Sequence, residues 1–133
     1  RGQLIHRLIP KVIWSNKNNK KFPIQGAGLS KRDFIFDQDF NDGLFKVLRN
    51  GKTGKTYHFS NNKYHSIKEI ILLICKIKKI SFKKLIYFTK DRIGKDKNYY
   101  LDCKKTAKEL KWKPKINIQE GLKKTIDYYN KIL

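Results

Sequence analysis

Ser66-Ile67-Lys68-Glu69 is a serine followed three residues later by a glutamate, and an apolar run over residues 70–80 comes directly after it. That spacing is a capping box: the serine hydroxyl accepts the backbone N–H of the third helical residue, and the glutamate reaches back to the serine N–H. A helix starts here, and it is too apolar for all of its faces to stand in water. A chain of 133 residues with 39% hydrophobic content has material for one core and not for two. Residues 1–133 are therefore expected to form a single domain around that core.

The other segments are shorter. Leu4, Ile5, Leu8, Ile9, Val12 and Ile13 recur at helical spacing, with Pro10 a strain on that helix and the asparagines at 16, 18 and 19 its end. Phe22-Pro23-Ile24 reads as a strand entering a turn at Gly26-Ala27-Gly28, and Arg32-Asp33-Phe34-Ile35-Phe36 as a second strand. Asp37 can cap a helix with the apolar face Phe40, Leu44, Val47 and Leu48, ending at Asn50-Gly51. Thr56-Tyr57-His58-Phe59 and Leu85-Ile86-Tyr87-Phe88 are strand candidates, residues 60–65 a polar loop, residues 89–97 an exposed one, and Tyr99-Tyr100-Leu101 a short extended piece. Asp102 caps a short helix to Leu110, Trp112-Lys113-Pro114 breaks it, and Asn117-Ile118-Gln119-Glu120 is a second capping box before a final amphipathic helix. This is an α+β layout with too few strands for a doubly wound sheet of its own.

Several function classes fall away. No apolar stretch approaches the roughly 18 residues that span a bilayer, and no secretion signal is recognisable, so a cytoplasmic protein without a membrane partner is expected. Cys75 and Cys103 have no partner at metal-ligand spacing, which gives neither a zinc site nor a disulfide framework. The net charge of +21 raises a nucleic-acid-binding module as an alternative. Lysine supplies 27 of the 32 basic residues and arginine 5, however, and base readout favours the arginine fork, so nucleic acid is the lesser reading.

Gly51-Lys52-Thr53-Gly54-Lys55-Thr56 resembles a phosphate loop only superficially, because Arg49 stands where its first glycine should be and the order is helix to strand. Tyr64/Lys68 and Tyr100/Lys104 have the spacing of a redox acid–base pair, but in a lysine-rich chain with seven tyrosines such coincidences are expected. No Gly-x-Gly-x-x-Gly loop accompanies them, and neither pair is assigned a role. The stretch from Asp91 to Tyr99 is different, since it gathers Arg92, Lys95 and Tyr99 around Gly94. It suits a diphosphate, with Arg92 forking two oxygens and Lys95 adding a point charge, or is simply a solvated loop. Arg32 is either a second phosphate ligand or the ion-pair partner of Asp33 or Asp37.

In chain order, Arg1-Gly2-Gln3, Arg7-Leu8-Ile9-Pro10-Lys11-Val12-Ile13, Phe22-Pro23-Ile24-Gln25-Gly26-Ala27-Gly28, Lys31-Arg32-Asp33-Phe34-Ile35-Phe36, Gly54-Lys55-Thr56-Tyr57-His58-Phe59, Asp91-Arg92-Ile93-Gly94-Lys95-Asp96 to Tyr99, and Leu110-Lys111-Trp112-Lys113-Pro114 make seven segments. Together they resemble the C-terminal part of the extended short-chain dehydrogenase/reductases, above all the dTDP-glucose 4,6-dehydratases. The resemblance implies a small substrate-binding domain whose catalytic residues and NAD-binding Rossmann domain lie upstream. On that reading the chain is a fragment, not an enzyme alone, and its parent is a homodimeric lyase or, alternatively, a nucleotide-sugar epimerase.

The resemblance further implies that Arg32 and Arg92 bind the diphosphate of a nucleotide sugar, a dTDP-hexose by preference. Arg7, Leu8, Pro23 and Gln25 would line its nucleoside end, with Asn62, Lys95 and Tyr99 as further contacts. Gln25 replaces an aromatic residue of the family, Lys95 a histidine and Ser60-Asn61-Asn62 a glycine pair, so the base is left open.

Overall fold

The computed structural model describes residues 3–94 and 96–133. It is a small mixed domain of six helices and two two-stranded sheets among those residues. Helix α3, Ile67–Lys78, runs through its middle and starts on the expected capping box: Ser66 Oγ accepts the Glu69 N–H at 3.1 Å, and Glu69 Oε2 accepts the Ser66 N–H at 2.7 Å. Ile70, Ile71 and Ile74 are fully buried between α1, Leu8–Lys17, and α6, Ile118–Ile132. Val12 and Ile13 of α1, Phe22 and Ile24, and Leu122, Ile126 and Tyr129 of α6 complete this core. Each such side chain contributes about 1.5–3 kcal/mol by leaving water.

Pro10 is the third residue of α1. Its missing N–H falls among the first four donors of a helix, which have no partner in the helix anyway, so it does not strain α1. Leu4 and Ile5, counted into this helix by spacing, precede it and stay exposed. At the other end, the Asn117 side chain accepts the Glu120 N–H at 2.9 Å and starts α6 as expected.

Strand β1, Phe22–Gln25, pairs in parallel with β4, Ile86–Thr89, so that Phe22 faces Ile86 and Gln25 faces Thr89. Strand β2, Lys31–Asp33, pairs antiparallel with β3, Tyr64–Ser66. The second strand is thus shorter than the residues 32–36 expected, and β3 falls where a polar loop was read. Residues 56–59, expected as a strand, have no strand partner. A single turn of helix, α4, Phe82–Leu85, precedes β4 and takes up the leucine expected to begin the strand.

The second departure is α2, Asp37–Asn50. Its N-cap is Phe36, and Asp37 is its first helical residue. Of the expected apolar face, Phe40, Leu44 and Leu48 are exposed, Leu48 by 80%. Asp39 and Gly43 are buried instead. The reason is local packing: the ring of Phe59 lies on Gly43 so closely that a Cβ there would stand 2.4 Å from it. Phe59 also meets Trp112 edge to face at 4.9 Å. Trp112 Nε1 donates to the Asp39 carbonyl at 3.0 Å, and the Asp39 carboxylate accepts the N–H groups of Lys115 and Ile116. Asp39 therefore docks α2 onto residues 112–116 that follow α5, Lys104–Leu110. Asp102 serves α5 from just outside, accepting the Lys104 N–H at 2.8 Å.

Candidate functional site

Because β1 and β4 are parallel, their carboxyl ends lie side by side, and each leads into a loop carrying a residue singled out above. Gly26, directly after β1, donates its N–H to the Thr89 carbonyl at 2.9 Å and has φ +58, which a glycine adopts without the Cβ clash of other residues. The carboxyl group of Asp91 occupies the space a side chain would need, 2.7 Å from an ideal Cβ on Gly26. Arg92 is thereby set beside the exit of β1.

The loop is tied again further on. The Lys31 N–H donates to the Lys97 carbonyl at 2.9 Å, and the guanidinium of Arg32 donates to the carbonyls of Lys31 and Asp96 at 2.7 and 2.9 Å. The Tyr64 hydroxyl donates to the Leu101 carbonyl at 3.1 Å while its ring meets Tyr100. Arg32 is thus not the ion-pair partner of Asp33, whose Oδ2 accepts the Asn61 N–H at 2.7 Å.

These constraints enclose a cavity of about 360 Å³. Leu8 lines it from α1, Pro23 and Gln25 from β1, Arg32 from β2, Thr89 from β4, and Arg92 from the loop. Lys11 and His6 line it too, and no Asp or Glu does so among the described residues. Three permanent cations around a partly apolar hollow, with no carboxylate in the wall, favour an anion that carries an apolar or aromatic body.

Five of the residues expected at the site, Leu8, Pro23, Gln25, Arg32 and Arg92, are thus brought together. Arg7 is the N-cap of α1, between two lining residues but not itself in the wall. Asn62, at φ +54 with its N–H on Ser60 Oγ, and Tyr99, 56% exposed, lie outside the lining. Lys95 lies outside the described residues. Lys11 and Thr89 were not read from sequence. Lys11 stands three residues after Leu8 and so on the same helical face, a signal that was there to use. Thr89 enters only through the pairing of β4 with β1, which spacing does not encode.

A larger hollow of about 440 Å³ lies between α2 and residues 111–115, but it contains none of these residues. The Lys46 ammonium in its wall donates to the Leu110 and Lys111 carbonyls at 3.2 and 2.8 Å and so closes the end of α5. No group of metal-ligating side chains occurs among the described residues. Burial pushes the thiols of Cys75 and Cys103 up, which keeps both protonated and poorly nucleophilic. No helix among the described residues is long and apolar enough to cross a membrane.

Comparison with known proteins matches residues 1–125 to the family described as GDP-mannose 4,6 dehydratase. The dTDP-glucose 4,6-dehydratase of Shigella flexneri is 33% identical over 129 residues, which is 92% of this chain and 36% of that protein. Among solved structures, the dTDP-glucose 4,6-dehydratase DesIV of Streptomyces venezuelae, with NAD and TYD bound, superposes with a TM-score of 0.92 at 25% identity, over 97% of this chain and 40% of that one. The UDP-glucuronic acid 4-epimerase of Bacillus cereus, in complex with UDP-glucuronic acid and NAD, does so with a TM-score of 0.89 at 25% identity, over 98% of this chain and 42% of that one. The chain therefore spans about two-fifths of the length of the relatives it matches. With nearly all of its residues matched to one family and its backbone superposing on both kinds of enzyme, the chain belongs to the GDP-mannose 4,6 dehydratase family of extended short-chain dehydrogenase/reductases, NAD-dependent dehydratases and epimerases of nucleotide sugars.

Proposed function

We propose that this domain holds the nucleoside diphosphate of a nucleotide sugar, as the substrate-binding part of a dTDP-glucose 4,6-dehydratase type of enzyme. The observation that carries the reading is the convergence of Arg32 and Arg92, from separate segments, on one cavity without a carboxylate in its wall. Each guanidinium can give two parallel N–H bonds to phosphate oxygens. Lys11 adds a third positive charge from α1, and Leu8 and Pro23 give the base an apolar wall. Gln25 offers one donor and one acceptor to a base edge. Arg7, Asn62, Lys95 and Tyr99 are assigned to outer contacts with the sugar or phosphates.

The residues described do not fit NAD. Its pyrophosphate needs a glycine turn open to the ligand, whereas the turn after β1 is filled by the Asp91 carboxyl group. When bound in an enzyme of this class NAD supplies hydride acceptance and return, and on this reading its site lies on the rest of the enzyme. The work of this domain is then to bind and orient. A 4-epimerase is the second reading, favoured by the epimerase superposition, which is nearly as close as that of the dehydratase.

Titration calorimetry with dTDP, UDP and GDP tests the assignment. The wild-type chain should bind at least one of them, and Arg92→Ala should weaken that binding about tenfold or more, the loss of one charged hydrogen-bonding group. Equal affinity in the variant would remove Arg92 from the site.

A further inference from the structure

Residues 1–32 and 70–90 contain no Asp or Glu, yet they hold eight and six of the 32 basic residues. The fold brings the two stretches together, since α1 packs on α3 and β1 pairs with β4. At the amino ends of β1 and β4, opposite to the cavity of Arg32 and Arg92, lies a hollow of about 410 Å³. Lys20 and Lys21 line it from the turn between α1 and β1, and Lys84 lines it from α4. Both walls are fixed by main chain: the Lys20 N–H donates to the Ser15 carbonyl at 2.8 Å, and the Ile80 N–H to the Cys75 carbonyl at 3.0 Å. All three lysines are exposed, and among the described residues no carboxylate lines the hollow. The carboxyl ends of α1 and α3 also lie here, but together they offset only about one unit of positive charge. The remaining like charges repel one another, and an anion seated among them relieves that cost.

We propose that this end of the domain binds a single-stranded nucleic acid, with phosphates on Lys20, Lys21 and Lys84 and bases stacked on Tyr87 and Phe88. Lysine acts as a point charge without the arginine fork, so the attraction is to phosphate charge and not to base edges. Strand β4 leads away from the hollow and exposes Tyr87 and Phe88, by 46% and 54%. Exposed rings beside a cationic groove are platforms for unpaired bases of any sequence. A bilayer surface is flat and does not enter a hollow, and an acidic peptide would leave both rings in water. This binding does not depend on the nucleotide-sugar reading, which concerns the other end of the strands.

Fluorescence anisotropy with a labelled oligothymidylate of roughly twelve nucleotides tests this. The chain should bind it, with an affinity that falls as salt is added. Lys20→Gln, Lys21→Gln and Lys84→Gln together should weaken binding by about tenfold or more and make the salt slope shallower by about two units, the share of three phosphates on a single strand. Lys108→Gln, Lys113→Gln and Lys123→Gln remove the same charge from exposed positions elsewhere, and should weaken it by no more than about threefold. Tyr87→Leu with Phe88→Leu, which keeps apolar side chains but no planar ring, should weaken it by about fivefold or more. Circular dichroism verifies that each variant folds. Absence of binding at low salt, equal losses from the two lysine triples, unchanged affinity without the rings, or equally tight binding of phosphatidylserine vesicles through the same three lysines would each overturn the proposal. Excess dTDP should leave the strand bound. Displacement by it would place the strand at Arg32 and Arg92 and overturn the proposal while leaving that site intact.

Discussion

The guanidinium of Arg32 donates to the carbonyl of Asp96 at 2.9 Å, so one arginine of the cavity helps to hold the loop on which the other, Arg92, is carried. Arg92 has no such duty, since among the described residues its guanidinium bonds to nothing and only its backbone N–H is engaged, by Asp91. Conservative replacements should therefore differ. A lysine keeps the charge but not the fork that spans carbonyl and phosphate. Arg32→Lys should lower diphosphate affinity by about tenfold to a hundredfold and speed amide exchange over residues 96–101, whereas Arg92→Lys should change affinity less and exchange not at all. Equal effects of the two on exchange would dissolve the link.

Gly26→Ala tests the joint between the two parallel strands. The new methyl group would meet the Asp91 carboxyl group at 2.7 Å on a backbone with φ +58. The left-handed conformation alone costs about 1–2 kcal/mol in a residue with a Cβ, and the collision adds to it. The variant should lose about 2–3 kcal/mol in urea unfolding. With Asp91→Ala added, the collision with the carboxyl group is removed, so the double-mutant cycle should show coupling of about 1 kcal/mol. Strict additivity would mean that the two residues do not touch.

What the sequence made legible follows from the range of the interactions involved. The capping box at Ser66 and the N-cap at Asn117, whose Glu120 side chain pairs with Lys124 instead of closing a second box, are visible because the partners lie within four residues, and α3 and α6 start where they predict. The face of α2 was misread because Asp39 and Gly43 are buried by Phe59, Trp112 and the N–H groups of Lys115 and Ile116, contacts made 16 to 77 residues away. Strand candidates suffered likewise: the pairing of β1 with β4 spans more than sixty residues, and only that pairing sets Thr89 beside Gln25. Within the site, arginine scarcity drew attention to Arg32 and Arg92, while Lys11 was hidden among 26 other lysines.

Asp39→Ala should be among the most destabilising single changes. Its carboxylate accepts the Lys115 N–H at 3.1 Å and the Ile116 N–H at 2.9 Å, at 2% exposure. Removing it strands two backbone donors in a poorly hydrated place, at about 1–3 kcal/mol each. A loss of about 2–4 kcal/mol in thermal or urea unfolding is expected. Asp39→Asn keeps an acceptor and should cost less. A loss below 1 kcal/mol for the alanine would show that α2 is held by Phe59 and Trp112 alone.

Acid should weaken the domain at the start of α3. The backbone N–H of Ser66 is the main cause that holds the Glu69 carboxyl below its ordinary value of 4.5, opposed by partial burial and aided by the Ser66 hydroxyl and by His65 and Lys31. With the folded value lower than the unfolded one, the stabilisation is fully present above about pH 4.5 and drains away as the pH falls through the folded value. Glu69→Gln keeps the shape of the box without the charge. The wild type should exceed it in unfolding free energy near neutrality, by no more than about 1 kcal/mol for one capping interaction. That difference should shrink toward zero as the pH falls through the folded value and Glu69 becomes protonated in both states. A gap that stays constant between neutrality and acid would place the benefit of Glu69 in its packing and not in its charge.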